Sequence, residues 1–472
     1  MYRLFALLLL TAPLVGCIGT DEALDPQAVE TPDILDDRVT SFTGAGDILP
    51  VDEVVATAEY LLTGHEGAEP NMGFTQSGAM FVTASDKVLR STDEGESWEV
   101  VYHFVNQDDG VIPTQERGAV RTFDPMLWVD PVTDIVYADP MYPPLACTHL
   151  AWSEDDGETW FERPGVCHPG VMDHQKLATG LPGPQAPPMA GVAHETVLYQ
   201  CYNSLLATLC GTSYDGGLTW INHQVAGDEV RHGCGGINGH PAASPDGVVA
   251  VPITSCHEPG LAMSWDNGVS WSFQTLPGAT GIDSIDAEVA WSPDGVLYYS
   301  FRGDDHITYL SYSTDEGESW VGPIRVTPPG VTSTVFHALA AGPGGKLAVG
   351  FLGTEDTDAG PDGADDDARW HLYLVTTEDA LAEAPVFTSH QATPEEDPVQ
   401  VGRICMGGVG CDDGSRNLLD FIDGGVSPDG TFHVAYTEGC VDGCAGEEDA
   451  SPEDSRSRII SIARLDGWTL TG

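Results

Sequence analysis

The octapeptide STDEGESW occurs twice in this chain, at residues 91–98 and again at 313–320. Three relatives lie between the two copies: SEDDGETW (153–160), SYDGGLTW (213–220) and SWDNGVSW (264–271). All five share SxDxGx(S/T)W, and successive copies start 62, 60, 51 and 49 residues apart. That period is long enough for one four-stranded sheet per repeat, and such units bury their open faces only against their neighbours.

Each octapeptide lies between runs rich in β-branched and aromatic residues, such as ITYLSY before the last copy and VYHFV after the first. The motif is therefore read as a hairpin turn. Its Asp can accept turn amides, its Gly can adopt positive φ, its hydroxyl can bond locally, and its Trp can cover the apolar seam beside the turn. All four roles are structural.

A second signature, SPDG, leads into alternating strands at 244–253, 292–301 and 427–436, with weaker forms at 342–351 and 130–139. Upstream of each signature a short strand opens on a polar residue. These are Asn71, Asp124, Asp173 with His174, His240, Asp286, His337 and Asp420, which makes seven units. The sixth and seventh lack the octapeptide.

The octapeptides resemble Asp boxes, the BNR repeat of the sialidase superfamily, and residues 49–472 resemble a BNR-type β-propeller. The resemblance implies an all-β fold of four-stranded blades, seven by this tally with six as the alternative count. Asp93, Asp155, Asp215, Asp266 and Asp315 are then structural Asp-box residues. WD40 propellers would carry Gly-His and Trp-Asp dipeptides, which are absent here.

In such a propeller the octapeptides join the third and outer strands of a blade, on the bottom face. The long insertions at 353–369 and 438–457 fall between second and third strands, and those at 222–239 and 388–419 between blades, so all four crowd the top. Long loops at one end of a rigid scaffold are the usual place for binding. One of them, GTEDTDAGPDGADDDARW, interleaves Asp356, Asp358, Asp362, Asp365 and Asp366 with glycines. Carboxylates in that pattern are a candidate calcium loop, since Ca²⁺ takes about six to eight oxygens; a solvated acidic loop is the alternative.

Sialidase chemistry requires arginines that clamp a substrate carboxylate, a Tyr/Glu nucleophile pair and an acid/base Asp. The Arg-Ile-Pro motif of that family is absent, and NMGFTQSGAMF stands in its place. The residues that could serve instead are Arg121, Arg231 and Arg416, read in loops between blades, with Arg302 after a second strand and Arg403 as further candidates, together with Tyr436, Glu288 and Asp124. A top-face site that binds a glycan or protein ligand is the preferred reading, and an exo-acting, sialidase-like glycoside hydrolase is the alternative. Calcium is the one cofactor expected.

Before the repeats, residues 1–16 read as an export signal: one Arg, then an apolar run too short to span a bilayer comfortably. Leu14-Val15-Gly16-Cys17 resembles the lipobox of prokaryotic lipoproteins, which implies a lipid on Cys17 and an anchored protein at the cell surface or in the periplasm. Residues 17–48 are poor in large apolar side chains and read as a disordered acidic tether. Ten cysteines remain, an even number in an oxidising compartment. They fall into near neighbours: Cys147 and Cys167, Cys201 and Cys210, Cys234 and Cys256, Cys405 and Cys411, Cys440 and Cys444. With 73 acidic residues against 18 basic ones, nucleic acid is not an expected partner. The only membrane contact expected is through the lipid, and the chain is read as a monomer.

Overall fold

The structure, a computed structural model, describes residues 38–51, 54, 56–104, 123–141, 147–167, 172–186, 194–204, 207–225, 235–255, 258–279, 287–407, 411, 416–439 and 458–471. These residues form seven antiparallel sheets, five of which run from an inner to an outer strand in chain order. Blade 1 comprises Met72–Phe74, Met80–Ala84, Lys87–Ser91 and Glu99–His103. Blade 2 comprises Phe123–Val129, Val136–Met141, Cys147–Ser153 and Phe161–Cys167, and blade 3 Asp173–Gly180, Val197–Ser204, Ala207–Ser213 and Ile221–Gln224. In blade 4 the inner strand is split into Gly235–Asn238 and Ala242–Ala243, followed by Val249–Ser255, Glu258–Ser264 and Ser272–Thr275. Blade 5 comprises Glu288–Trp291, Leu297–Arg302, Thr308–Ser313 and Val321–Arg325, and blade 6 Ser333–Ala341, Leu347–Thr354, Arg369–Thr377 and Val386–Gln391.

Blade 7 takes its three inner strands from the end of the chain, Asp423–Val426, Phe432–Glu438 and Ile459–Asp466. Its outer strand, Thr57–Glu66, comes from near the start. The inner strands of successive blades touch one another, and the ring closes where blade 7 meets blade 1. This is the β-propeller that the repeat implies. The core is correspondingly divided into apolar clusters, each held between two neighbouring blades. One joins Val335, Trp370 and Leu374 of blade 6 to Val434, Tyr436 and Ala463 of blade 7; another joins Phe81 and Val88 of blade 1 to Leu127 and Val136 of blade 2.

The N-terminal boundary differs from the sequence reading. Val39–Thr43 pairs antiparallel with the outer strand of blade 6, in register from Val39 opposite His390 to Thr43 opposite Val386, and Ile48–Leu49 pairs with it in turn. The segment VTSFT is anchored by one side chain, Phe42, which is fully buried and stacks on Phe387 at 5.7 Å. The propeller therefore begins at about residue 38. The tether reading of 17–48 fails over its last third because a single well-placed aromatic in a short strand is enough to secure that strand to an open sheet edge.

All five octapeptides are turns between third and outer strands, built alike. In the first, Ser97 donates to Asp93 from its amide (2.9 Å) and its hydroxyl (2.5 Å), Ser91 donates to the other side of the turn at Asp93 Oδ1 (2.8 Å), and the Gly95 amide donates to Ser91 Oγ (2.9 Å). Asp155, Asp215, Asp266 and Asp315 repeat these bonds with Thr159, Thr219, Ser270 and Ser319. The expected positive φ is found at Gly95 and its equivalents, and the residue before each, such as Glu94 at 59°, is left-handed as well. The tryptophans lie half-buried, each against the seam with the preceding blade: Trp98 on the cluster between blades 7 and 1, and Trp160 on that between blades 1 and 2.

Two disulfides are described. Cys201–Cys210 joins facing residues of the second and third strands of blade 3, and Cys405–Cys411 closes a short loop before blade 7. Cys167 is also disulfide-bonded, and its register partner across the ladder is Cys147. Disulfides persist in oxidising compartments, so they point to an extracytoplasmic protein. No helix among the described residues is long and apolar enough to cross a membrane. Cys17, Cys234, Cys256, Cys440 and Cys444 lie outside the described residues.

Candidate functional site at the top of the channel

Inner strands begin at the top of a propeller and run down, so the site is read from their first residues. Several of these strands open on a β-bulge: the register shifts between Phe123 and Met126, Asp173 and Lys176, Gly235 and Asn238, and Val335 and His337. A bulge re-aims the side chains beside it. At or just before the openings, Glu69, Asp124, His174, Phe336 and Leu419 hold φ between 49° and 60°, a left-handed conformation uncommon for residues other than glycine.

The bends gather ionisable groups from four blades. Glu69, on the connection into blade 1, is buried, and the charges of Asp124 in blade 2 and Asp420 before blade 7 act on its carboxyl. Glu69 Oε1 also accepts the backbone amide of Asp420 at 3.1 Å. Asp124 Oδ2 accepts the backbone amide of His174 in blade 3 at 2.9 Å. Arg416 grips Asp420 with both terminal nitrogens, its Nη2 lying 2.5 Å from Oδ2. Burial holds the Glu69 carboxyl well above the usual carboxylate range. The neighbouring charges of Asp124 and Asp420 act in the same direction, and Lys176 offsets only part of this.

Beneath this cluster the segment entering blade 7 sends Phe421 across to the opposite blades. Its ring is buried, meets His174 and His240 edge-on at 5.7 and 5.6 Å, and packs with Met126 and Leu177. The Lys176 ammonium sits over the face of the ring, 3.1 Å from its centre, with no hydrogen-bond acceptor among the described residues. His240 Nδ1 in turn lies 2.6 Å from Glu288 Oε1. Gln175 ties the base of the cluster to blade 2 by donating to the carbonyls of Asp124 (2.5 Å) and Asp139 (3.2 Å).

Of the residues proposed from sequence, Asp124 and Arg416 meet in this cluster, and Glu288 stands beside it, paired with His240. Tyr436 does not belong to it. Its side chain is wholly buried between blades 6 and 7, and burial, with Glu438 nearby, holds the hydroxyl well above its ordinary range. Every residue of its strand Phe432–Glu438 is buried, so no alternation in the sequence reveals which side chains face the channel. Arg302 is buried under blade 6, its guanidinium 3.5 Å from the Thr334 carbonyl. Arg121 and Arg231 lie outside the described residues.

The candidate calcium loop is spread out. Asp356, Asp358, Asp362, Asp365 and Asp366 are all exposed; Asp356 accepts the Arg369 amide and Asp362 the Met406 amide, each at 2.8 Å. The loop is pinned to the disulfide-braced segment before blade 7, with Ile404 N donating to Pro361 O and Gly402 N to Ala368 O. Among the described residues no group of three or more His, Cys, Asp or Glu is placed to hold a metal ion.

Glu69, Lys176 and Phe421 were not singled out from sequence. One signal was present: only three lysines occur in the chain, and Lys176 interrupts an otherwise buried strand, DHQKLATG.

No family model matches the chain, and no curated protein matches it. Among solved structures it is similar to an intramolecular trans-sialidase from Ruminococcus gnavus, at 14% identity over 85% of this chain and 96% of that one, with a TM-score of 0.40. The leech intramolecular trans-sialidase is similar at 14% identity, over 88% of this chain and 70% of that one, with a TM-score of 0.43. An endosialidase of phage phi92 is similar at 13% identity, over 90% and 72%, with a TM-score of 0.44. Likeness at these levels adds nothing to the fold assignment, which rests on the order of the strands and the closed ring.

Proposed function

We propose that this protein is a lipid-anchored, extracytoplasmic β-propeller that binds a glycan or protein ligand on its top face. The observation that carries this reading is the asymmetry between the two ends. The bottom is made of repeated turns whose polar groups are satisfied within the turn, as at Asp93. The top is where bulged strands turn Asp124, His174 and their neighbours toward one point, with the two pinned loops of blades 6 and 7 beside it. Asp173 is exposed at this end, next to the buried cluster. Carboxylates accept hydrogen bonds from sugar hydroxyls or from the amides and cationic side chains of a protein partner.

Hydrolysis is the second reading, favoured by one feature: Glu69, a carboxyl with raised proton affinity, lies beside the Arg416-held carboxylate of Asp420. A sialidase-like mechanism is less well supported. Arg416 is committed to Asp420 rather than free to pair a substrate carboxylate, and Tyr436 is enclosed in the blade. The test is a screen of the soluble protein from residue 38 onward against a glycan array, candidate partner proteins and labelled glycosides. Retention without turnover is the expected result, abolished by Asp124→Asn with Asp173→Asn. Turnover would replace the binding reading with the hydrolytic one, and retention indifferent to those substitutions would move the site elsewhere.

A further inference from the structure

We infer that the bottom of blades 3 and 4 is the contact surface for a second copy of this chain, so that the protein forms a two-fold dimer in place of the monomer expected from sequence. The surface lies at the opposite end from the proposed ligand site, and the inference does not depend on that site.

The repeats supply their own control. Five turns share one pattern of hydrogen bonds, so a position exposed in all five is one that the turn itself does not specify. The sixth residue of the octapeptide is such a position. It is Glu96, Glu158 and Glu318 in blades 1, 2 and 5, but Leu218, 64% exposed, and Val269, 47% exposed, in blades 3 and 4. The second residue changes with it, from Thr92, Glu154 and Thr314 to the half-buried aromatics Tyr214 and Trp265. The octapeptides of blades 1, 2 and 5 carry three, four and three carboxylates, whereas those of blades 3 and 4 carry one each. Apolar side chains left in water where glutamate serves the turn equally well mark a surface that something covers.

The two turns form one surface. The Tyr214 hydroxyl donates to the Asn267 carbonyl at 3.3 Å. The turn between the inner and second strands of blade 3 is tied to the same place, with Gly183 N donating to Asn267 Oδ1 at 2.6 Å and Gln185 N to Trp265 O at 2.9 Å. That turn adds Leu181 to the surface, and the outer strand of blade 3 adds Ile221, both exposed. The carboxylates that remain, Asp215 and Asp266, are held within their own turns by the hydroxyls of Thr219 and Ser270. Glu316 of blade 5 accepts the Trp265 indole N–H at 2.7 Å and marks where the acidic surface resumes.

Charge selects the occupant. The chain has a formal net charge of −55, so two copies repel each other wherever their carboxylates face. They can approach where charge is sparse, and a two-fold axis sets this one patch against itself. A basic partner would be drawn instead to the acidic turns of blades 1, 2 and 5. A bilayer would have to take up Asp215 and Asp266 together with the apolar side chains, whereas a contact between copies can leave such groups at its polar rim.

The test is sedimentation velocity of the soluble protein from residue 38 onward, over a range of concentrations and at low and high salt, for the wild type and for Leu218→Glu with Val269→Glu. The double variant gives blades 3 and 4 the residue that their sister turns already carry, so its melting temperature is expected to match the wild type. The wild type should pass from monomer to dimer as concentration rises. It should do so more readily at high salt, which screens the repulsion and leaves the apolar contact intact. The double variant should associate at least tenfold more weakly. A wild type that stays monomeric, a variant that dimerises equally well, or a dimer that weakens with salt would each overturn the inference. So would flotation of the wild type, but not of the variant, with phosphatidylcholine vesicles, which would assign the surface to a bilayer. Should the variant melt lower, hydrogen exchange of the wild type decides: protection at 213–221 and 264–271 must rise with concentration, and its constancy there would overturn the dimer.

Discussion

Arg416 and Asp420, four residues apart in the segment that enters blade 7, form a two-pronged ion pair at the top of the channel, with the Asp side chain only 10% exposed. The pair fixes the function that Arg416 can serve. A planar guanidinium recognises one carboxylate at a time through its fork, and here that carboxylate belongs to the protein. The sequence treats Arg416 as a candidate substrate clamp, whereas in the fold it clamps the scaffold.

Removing that clamp should be costly. Arg416→Ala leaves a largely buried carboxylate with its charge-assisted bonds gone, a loss of roughly 1–3 kcal/mol. Arg416→Lys should lose less, keeping the charge without the fork. Urea unfolding midpoints of the three proteins check this ordering, and a Lys variant no better than Ala would assign the effect to geometry alone.

The SPDG turns offer a comparison within one motif. Gly247 and Gly295 occupy the same place and have φ of 84° and 86°. A Cβ on Gly295 would meet nothing within 4 Å, whereas one on Gly247 would overlap the backbone oxygen of Leu181. Both alanine variants therefore carry the left-handed strain of about 1–2 kcal/mol, and Gly247→Ala carries a backbone clash besides. Thermal unfolding should rank Gly247→Ala clearly below Gly295→Ala, and equal losses would mean that the turn between the inner and second strands of blade 4 shifts freely.

What could be read in advance was whatever repeats. The octapeptide disclosed its turn, its positive-φ glycine and the covering role of its Trp, because each depends on residues within eight positions. The channel cluster was only partly legible. Asp124 opens a recognisable strand, but the significance of Glu69 and Lys176 lies in partners on other blades: Glu69 meets Asp124 and Asp420, and Lys176 meets Phe421. Tyr436 was misplaced for the opposite reason, since a strand buried on both faces carries no period-two signal.

The turn aspartates set an acid limit on stability. The Ser97 hydroxyl and amide hold Asp93 below the usual carboxylate range, and Ser319 and Thr159 do the same for Asp315 and Asp155. A depressed folded-state value means that the contribution is complete above the ordinary carboxylate range and is lost as pH falls through the depressed value. Melting temperatures should fall with acidification, and Asp315→Asn should melt lower at neutral pH with a shallower acid slope. An unchanged slope would mean that protonation of Asp315 does not weaken its turn.

The start of the chain gives the last prediction. Phe42 is fully buried on Phe387, and its strand lengthens blade 6 while the next segment, Thr57–Glu66, completes blade 7. The two strands thus extend neighbouring blades that are also tied by hydrogen bonds from Trp468 to Glu378 and from Lys346 to the Thr469 carbonyl. Phe42→Ala should cost about 3–5 kcal/mol, as for other buried aromatic truncations, and a protein beginning at residue 50 should lose at least as much. Removal of the chain up to residue 66 should be worse in kind, since it leaves Ile459–Asp466 as an unpaired edge exposed to other chains. Unfolding midpoints of the first two proteins, and light scattering for the third, distinguish these outcomes. If the protein from residue 50 is as stable as that from residue 38, the strand Val39–Thr43 lies on blade 6 without supporting it.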